Sequence, residues 1–261
     1  MLINSQTLSN PDLATALCVG RKEQWLPTGR IDTHVHQRHQ FIHSTRGMLH
    51  MTTEMGVWIL PPTRALWIRA GTAHGFLSKH PVEVTVLYID KTIPEIPDWP
   101  PCTVLNVSPL VRELVTVCAT HPWDYSVDSK AARLAKVLLE QLDTLAQAPL
   151  HLPEPSDPRA IRLAERLKKH PNDTSNLATL AGAVGASLKT MERLFLAQTQ
   201  MTFGEWRLRL RMIVALEYLA RGESVSDTAM AVGYESPSSF IVAFRRYFDT
   251  TPARYFELGR G

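Results

Sequence analysis

The spacing of apolar and polar positions changes character twice along this chain. From about Ile31 to Asp90 the apolar residues fall in short β-branched and aromatic runs broken by turn residues, as in FIHSTRGMLHMTTEMGVWILPP and VEVTVLYID. That pattern predicts strands. The proline cluster in TIPEIPDWPPCT halts it. Two helical stretches follow. SPLVRELVTVCAT opens with a Ser cap and a Pro in the first turn, and SKAARLAKVLLEQLDTLAQA sets Leu134, Leu138, Leu142 and Leu145 at helical spacing. These leucines fit a dimer seam and an intramolecular core equally well. PLHLPEPSDPR reads as a linker, and the remainder is helical in character. Strands first and helices afterwards predict an α+β chain of two domains rather than an alternating α/β sheet.

The helical half repeats one arrangement. LATLAGAVGASLKTMERLF (177–195) and VSDTAMAVGYESPSSFIVAF (225–244) each carry an Ala four residues before a Gly, Ala181 to Gly185 and Ala229 to Gly233. A helix-turn-helix needs this: the Ala lets two helices cross closely, and the Gly takes a left-handed corner without a Cβ penalty. Ser187, Ser224 with Asp227, and Ser236-Pro237 supply caps. Leu188, Met191, Leu194 and Phe195 form the expected inward face of one copy, and Phe240, Ala243, Phe244 and Tyr247 that of the other. Between them, FGEWRLRLRMIVALEYLARG reads as one helix buried through Phe203, Trp206, Leu210, Ile213 and Leu216. A helical bundle with two chance Ala-x-x-x-Gly matches would not explain caps and apolar faces in register.

Composition narrows the class. Of 261 residues 44% are apolar and 20% charged, ordinary for a chain with a buried core. Residues 1–152 balance 13 Lys and Arg against 13 Asp and Glu, whereas 153–261 hold 15 against 12, so the net +3 lies in the helical half. That surplus permits nucleic-acid binding. Three cysteines without a CxxC pair support neither a disulfide framework nor a zinc ribbon. No apolar run is long enough for a bilayer, and the first twenty residues lack signal-peptide features, so a cytoplasmic protein is expected.

The double motif, its linking helix and the run YESPSSFIVAFRRYFDTTPARY resemble the DNA-binding domain of AraC/XylS-family transcriptional regulators over roughly residues 157–256. The resemblance implies a regulator rather than an enzyme, binding double-stranded DNA as a homodimer, with RNA polymerase as a further candidate partner. Its first recognition helix would present Lys189, Glu192 and Arg193 to base edges, and its second Ser238, Ile241 and Val242. Ile241 and Val242 depart from the polar side chains usual there and suit thymine methyls. Arg245, Arg246 and Arg254 are candidate phosphate contacts.

Four of the chain's ten histidines, His34, His36, His39 and His43, lie within IDTHVHQRHQFIHSTRG. In a strand His34 and His36 share one face; His39 and His43 would point the other way, towards the surface. H-x-H, then Gln40, then Gly47, with a later Gly71-x-x-His74, resembles the two motifs of the cupin barrel. Together with GVWILPPTRALWI and LYID it is similar to the cupin sensor domain of some AraC-type regulators. That resemblance implies a site of His34, His36 and His74, with Gln40 alongside, for one divalent transition metal: Ni, Zn, Fe, Mn, Co or Cu. Gln40 replaces the usual Glu and Arg69 the usual Pro, so the site lacks one negative charge. A metal-free pocket for an organic effector, and plain core histidines, remain alternatives. Trp58 and Trp67 are core fillers or pocket-lining residues; Arg64 and Arg69 face an acidic effector or form surface ion pairs. The expected domains are a cupin-like sensor (1–100), linker helices with a dimerisation role (101–156) and a double helix-turn-helix domain (157–261). The competing function is a metal-dependent cupin enzyme with an appended DNA-binding domain.

Overall fold

The computed structural model describes residues 10–257 apart from 27–28, 55, 62–63, 79–80, 95 and 149. The described strands are β1 (Cys18–Trp25), β2 (Arg30–His34), β3 (His39–Arg46), β4 (Leu49–Thr53), β5 (Gly56–Leu60), β6 (Arg64–Ile68), β7 (His74–Leu77), β8 (Val82–Ile89), β9 (Cys102–Asn106) and β10 (His151–Pro153). The helices are α1 (Pro109–Cys118) and α2 (Lys130–Gln141), then α3 (Pro158–Lys169), α4 (Leu177–Ala183), α5 (Leu188–Thr199), α6 (Phe203–Ala220), α7 (Val225–Ala231), α8 (Pro237–Phe248) and α9 (Pro252–Glu257). Strands followed by helices make the chain α+β, as its pattern predicts. Among the described residues no helix is long and apolar enough to cross a membrane.

Two compact units divide the chain, residues 1–49 with 62–149 and residues 50–61 with 150–261. The first is organised by an antiparallel sheet of order β1-β8-β3-β6-β9. Alternation gives that sheet two chemically different faces. Phe41, Ala65, Trp67, Leu87 and Leu105 pack against Val111, Leu114 and Val115 of α1 and Ala135, Leu138 and Leu139 of α2. Gln40 and Tyr88, adjacent across β3 and β8, belong to the opposite face. Leu142 and Leu145 join the helix-covered cluster and Leu134 packs beside it, so the leucine row forms an intramolecular core.

Several expectations need correcting. Sheet structure begins at Cys18, upstream of Ile31, and β9, in the stretch expected to hold only linker helices, is an edge strand of the sheet. His43 is no surface residue: it is 1% exposed, because α1 and α2 cover the face it shares with Phe41. His39, half-buried, stacks on Trp67 at 4.7 Å between ring centroids.

In the second unit the stretch read as a linker forms β10, which pairs with β5. Trp58 stacks on His151 with centroids 4.1 Å apart. Trp206 Nε1–H donates to the Pro153 carbonyl at 2.8 Å and Arg209 donates to that of His151 at 3.0 Å, so α6 holds β10. The helix-turn-helix elements form as predicted. Ala181 and Ala229 are fully buried, and Gly185 and Gly233 turn the chain at φ +73° and +80°. Ser187, Ser224 and Ser236 cap their helices, and Thr202 with Glu205 forms a capping box on α6. Phe203, Trp206, Leu210, Ile213 and Leu216 are all buried. Leu188 is not inward: it is 43% exposed at the first turn of α5.

The burial of His43 has a measurable consequence. Desolvation pushes its imidazole down to about 4 from an ordinary 6.5, with the charge of Arg112 acting the same way. The folded state keeps it neutral, so the associated stability is complete above pH 6.5 and is lost as pH falls towards 4. Between pH 7 and 5 this amounts to about 2 kcal/mol. Urea unfolding of His43→Leu should show an acid-induced loss smaller than the parent's by about that amount. An equal loss in both proteins contradicts the assignment.

Candidate functional site

Three of the predicted side chains meet. His34 ends β2, His74 begins β7 directly across from it, and His36 follows two residues after His34. Ligand atoms of all three lie within 4.8 Å of one another. The register of β2 on β7 shifts between Ile31 and His34, and this irregularity brings His34 and His74 opposite one another.

Hydrogen bonding decides which nitrogens are available. His34 Nδ1 lies 2.9 Å from the Asp32 carbonyl and His74 Nδ1 2.8 Å from that of Thr72. A carbonyl only accepts, so each Nδ1 carries the proton and each Nε2 keeps its lone pair. His74 Nε2 is buried without a hydrogen-bond partner among the described residues. Burial pushes His74 down to about 4, against the raising effect of the Thr72 carbonyl, and also lowers His36, there opposed by Asp12. Neutral imidazoles with convergent lone pairs are donors for a borderline-soft dication. An orphaned buried acceptor is costly to leave unpaired, about 1–3 kcal/mol. The residues present therefore fit a transition metal.

The surroundings are polar on one side. Gln40, 2% exposed, hydrogen-bonds the Tyr88 hydroxyl, and its Oε1 has no partner among the described residues. The Tyr88 ring lies 5.1 Å from that of His36, and its hydroxyl accepts from Arg21 at 3.2 Å. Burial pushes that phenol up to about 12, keeping it neutral. Arg21 pairs with Glu23, whose other oxygen accepts from Trp25 Nε1–H at 2.7 Å. Sequence reasoning did not reach Asp12, Tyr88 or Arg21. Alternation within VEVTVLYID sets the parity of Tyr88, but no local signal gives the register that sets it beside Gln40.

The other expected residues lie elsewhere. Trp67 sits in the core beneath α1 and α2, 5.3 Å from Trp99, and Trp58 is buried in the second unit. Both are core fillers. Arg69 pairs with Asp98 at 2.6 Å, a surface ion pair.

In the second unit the second helix of each helix-turn-helix shows a solvent-facing stripe. Lys189, Glu192 and Arg193 are exposed on α5 beside Leu188 and Leu196. On α8 Ser238 and Val242 are exposed and Ile241 is half-buried, with Val242 at 69%. Arg245 and Arg246 in the last turn of α8, and Arg254 on α9, are exposed as well. The spacing keeps these residues off the buried face that carries Met191 and Phe195, or Phe240 and Phe244.

A family profile described as a helix-turn-helix domain matches residues 180–257, which takes in α5 to α9. The HTH-type transcriptional regulator NimR of Escherichia coli is 31% identical over 246 residues, 94% of this chain and 88% of NimR. The chain belongs to the AraC/XylS family of transcriptional regulators. It is a DNA-binding regulator rather than an enzyme. The regulatory protein SoxS of Salmonella typhimurium is 34% identical over 94 residues, 36% of this chain and 88% of SoxS. The structure of ToxT from Vibrio cholerae covers 94% of the chain at TM-score 0.40 and 10% identity, too distant an overlay to carry detail.

For this AraC-family chain the histidine geometry makes a direct prediction. Purified untagged protein offered Zn, Ni, Co, Cu, Fe and Mn ions should retain one of them near one equivalent, and His36→Ala should retain little. Equal metal content in the two proteins removes His36 from the ligand set. A metal-free parent makes the cluster a pocket of hydrogen-bonding imidazoles.

Proposed function

We propose that this regulator works in the cytoplasm as a sensor whose N-terminal unit is a cupin-type domain holding one divalent transition metal on His34, His36 and His74. Gln40 stands beside them as a neutral fourth group. The observation that carries this reading is the convergence of the three imidazoles with Nε2 free on His34 and His74, and His74 Nε2 buried without a partner. When bound, the metal supplies a Lewis-acidic centre on which an effector molecule can be held; the chain's own residues set the charge and shape around it. The effector is then the metal itself or a ligand carried on it. Occupancy shifts the population between two DNA-binding arrangements, because a ligand that prefers one state moves the equilibrium towards it.

The DNA side of the proposal assigns roles by exposure. Arg193 pairs bidentately with a guanine, Glu192 accepts from a cytosine and Lys189 supports both. Val242 and Ile241 rest against thymine methyls, with Ser238 adjoining, so the half-site under α8 is rich in A·T pairs. Arg245, Arg246 and Arg254 contact phosphates and set register. The 18 residues of α6 span about 27 Å at 1.5 Å per residue, a separation compatible with two successive major grooves about 34 Å apart. Homodimers on repeated half-sites, with RNA polymerase as a neighbour at the promoter, complete the assembly.

Binding assays on an operator selected from random DNA test these roles. Arg193→Ala should weaken operator binding by about 1–3 kcal/mol while leaving binding to unrelated DNA nearly unchanged. Equal loss on both DNAs removes Arg193 from base readout. Arg246→Ala should weaken all sequences alike and reduce the slope of log K against log salt by about 1. A loss confined to one operator contradicts a phosphate contact.

A further inference from the structure

The cluster sits beside a carboxylate that lies far from it in sequence. Asp12 belongs to a short 3₁₀ turn, Pro11–Leu13, whose N-cap Asn10 accepts from the Asp12 backbone. One carboxylate oxygen of Asp12 accepts from the Gln37 backbone N–H at 2.9 Å; the other lies 3.5 Å from His36 Nδ1. The two side chains are only 18% and 16% exposed.

This approach is built into the domain. Arg38, 5% exposed, donates to the carbonyls of Ala14 at 2.5 Å, Ala16 at 2.9 Å and Leu17 at 3.4 Å, and pairs with Asp90 at 3.3 Å. The residues directly after His36 thus tie down the segment that carries Asp12. Gln37 and Arg38, between His36 and His39, are the latch.

The charge of the cluster gives the carboxylate a purpose. Three imidazole ligands and the Gln40 amide offer a dication no negative charge, and burying an unpaired charge is strongly unfavourable. His34 and His74 have carbonyl acceptors on Nδ1, which carry no net charge. Among the described residues, His36 has a carboxylate at its Nδ1, that of Asp12. A metal on Nε2 polarises the ring and strengthens the Nδ1–H bond to a carboxylate, which orients the ligand and raises its basicity. At 3.5 Å the Asp12 oxygen is an ion-pair neighbour rather than a hydrogen-bond acceptor, and His36 Nδ1 is buried without a hydrogen-bond partner among the described residues, so a bound metal would have room to draw the two together.

We propose that Asp12 is a positioning residue of the metal site, fixing His36 through Nδ1 and supplying from the N-terminal turn the negative charge that Gln40 does not carry. This rests on the metal reading above. The site is therefore completed by two distant stretches of chain, the 3₁₀ turn and the β2–β3 connection.

The test is zinc affinity of the full-length chain, measured by competition with a chelator, for the parent, Asp12→Asn, Asp32→Asn, Gln40→Glu and the double variant Asp12→Asn with Gln40→Glu. Asn at position 12 keeps the acceptor for Gln37 and so keeps the turn. Asp12→Asn should weaken zinc binding about 10- to 100-fold. Asp32→Asn removes a carboxylate that is 85% exposed, and should stay within about twofold. Gln40→Glu should raise affinity more in the Asp12→Asn background than in the parent, because only there is the charge missing. A purely structural role for the turn would give the same gain in both. Unchanged zinc binding in Asp12→Asn, an equal loss in Asp32→Asn, or equal gains from Gln40→Glu would each overturn the role of Asp12 while the metal reading stands. A folded parent that takes up none of Zn, Ni, Co, Cu, Fe and Mn would overturn both.

Discussion

An imidazole whose Nδ1 faces a backbone carbonyl has no choice of tautomer. The carbonyls of Asp32 and Thr72 impose that constraint on His34 and His74, and the rest of the site depends on it. With Nδ1 protonated the remaining nitrogens are bare acceptors, and in a buried setting bare acceptors need a partner. Burial also holds His74 neutral across the physiological range. The arrangement is conditional on strand register: without the shift between Ile31 and His34, His34 would not lie opposite His74.

The same alternation that makes this polar face makes the core. On β3, Phe41 and His43 point under α1 and α2 while Gln40 points the other way, next to Tyr88. A slip of one residue would exchange the two sets, driving Gln40 beneath the helices and Phe41 into the polar face. The large side chains of Phe41, Trp67 and Leu87, each at most 1% exposed, hold the strand in its register. Core packing and site chemistry are in this sense one constraint. In the DNA-binding unit helical periodicity does the equivalent work, turning Phe195 and Phe244 inward and Arg193 and Val242 outward.

What could be read from the chain alone follows from how local each signal is. The helix-turn-helix pairs rest on short-range chemistry, a capping Ser, a buried Ala and a left-handed Gly, and all were legible. His34, His36 and His74 were legible through motif spacing. β1 was not, because CVGRKEQW alternates only over half its length and its charged residues face partners on β8 and within the strand itself. β9 was hidden behind the prolines that precede it. His43 was misjudged because alternation tells which residues share a face, not what covers that face. Asp12 was beyond reach for a similar reason: its link to His36 spans 24 positions and depends on Arg38 gathering three carbonyls.

The central claim is that occupancy of the histidine cluster governs how the regulator holds DNA. The most direct measurement is the affinity of the full-length protein for its selected operator, with and without bound zinc, in parallel with His36→Ala. The account predicts a change of about 5- to 150-fold in the parent, the usual range of coupling between two sites, and none in the variant. A parent that binds zinc stoichiometrically yet holds the operator equally well in both states would contradict it.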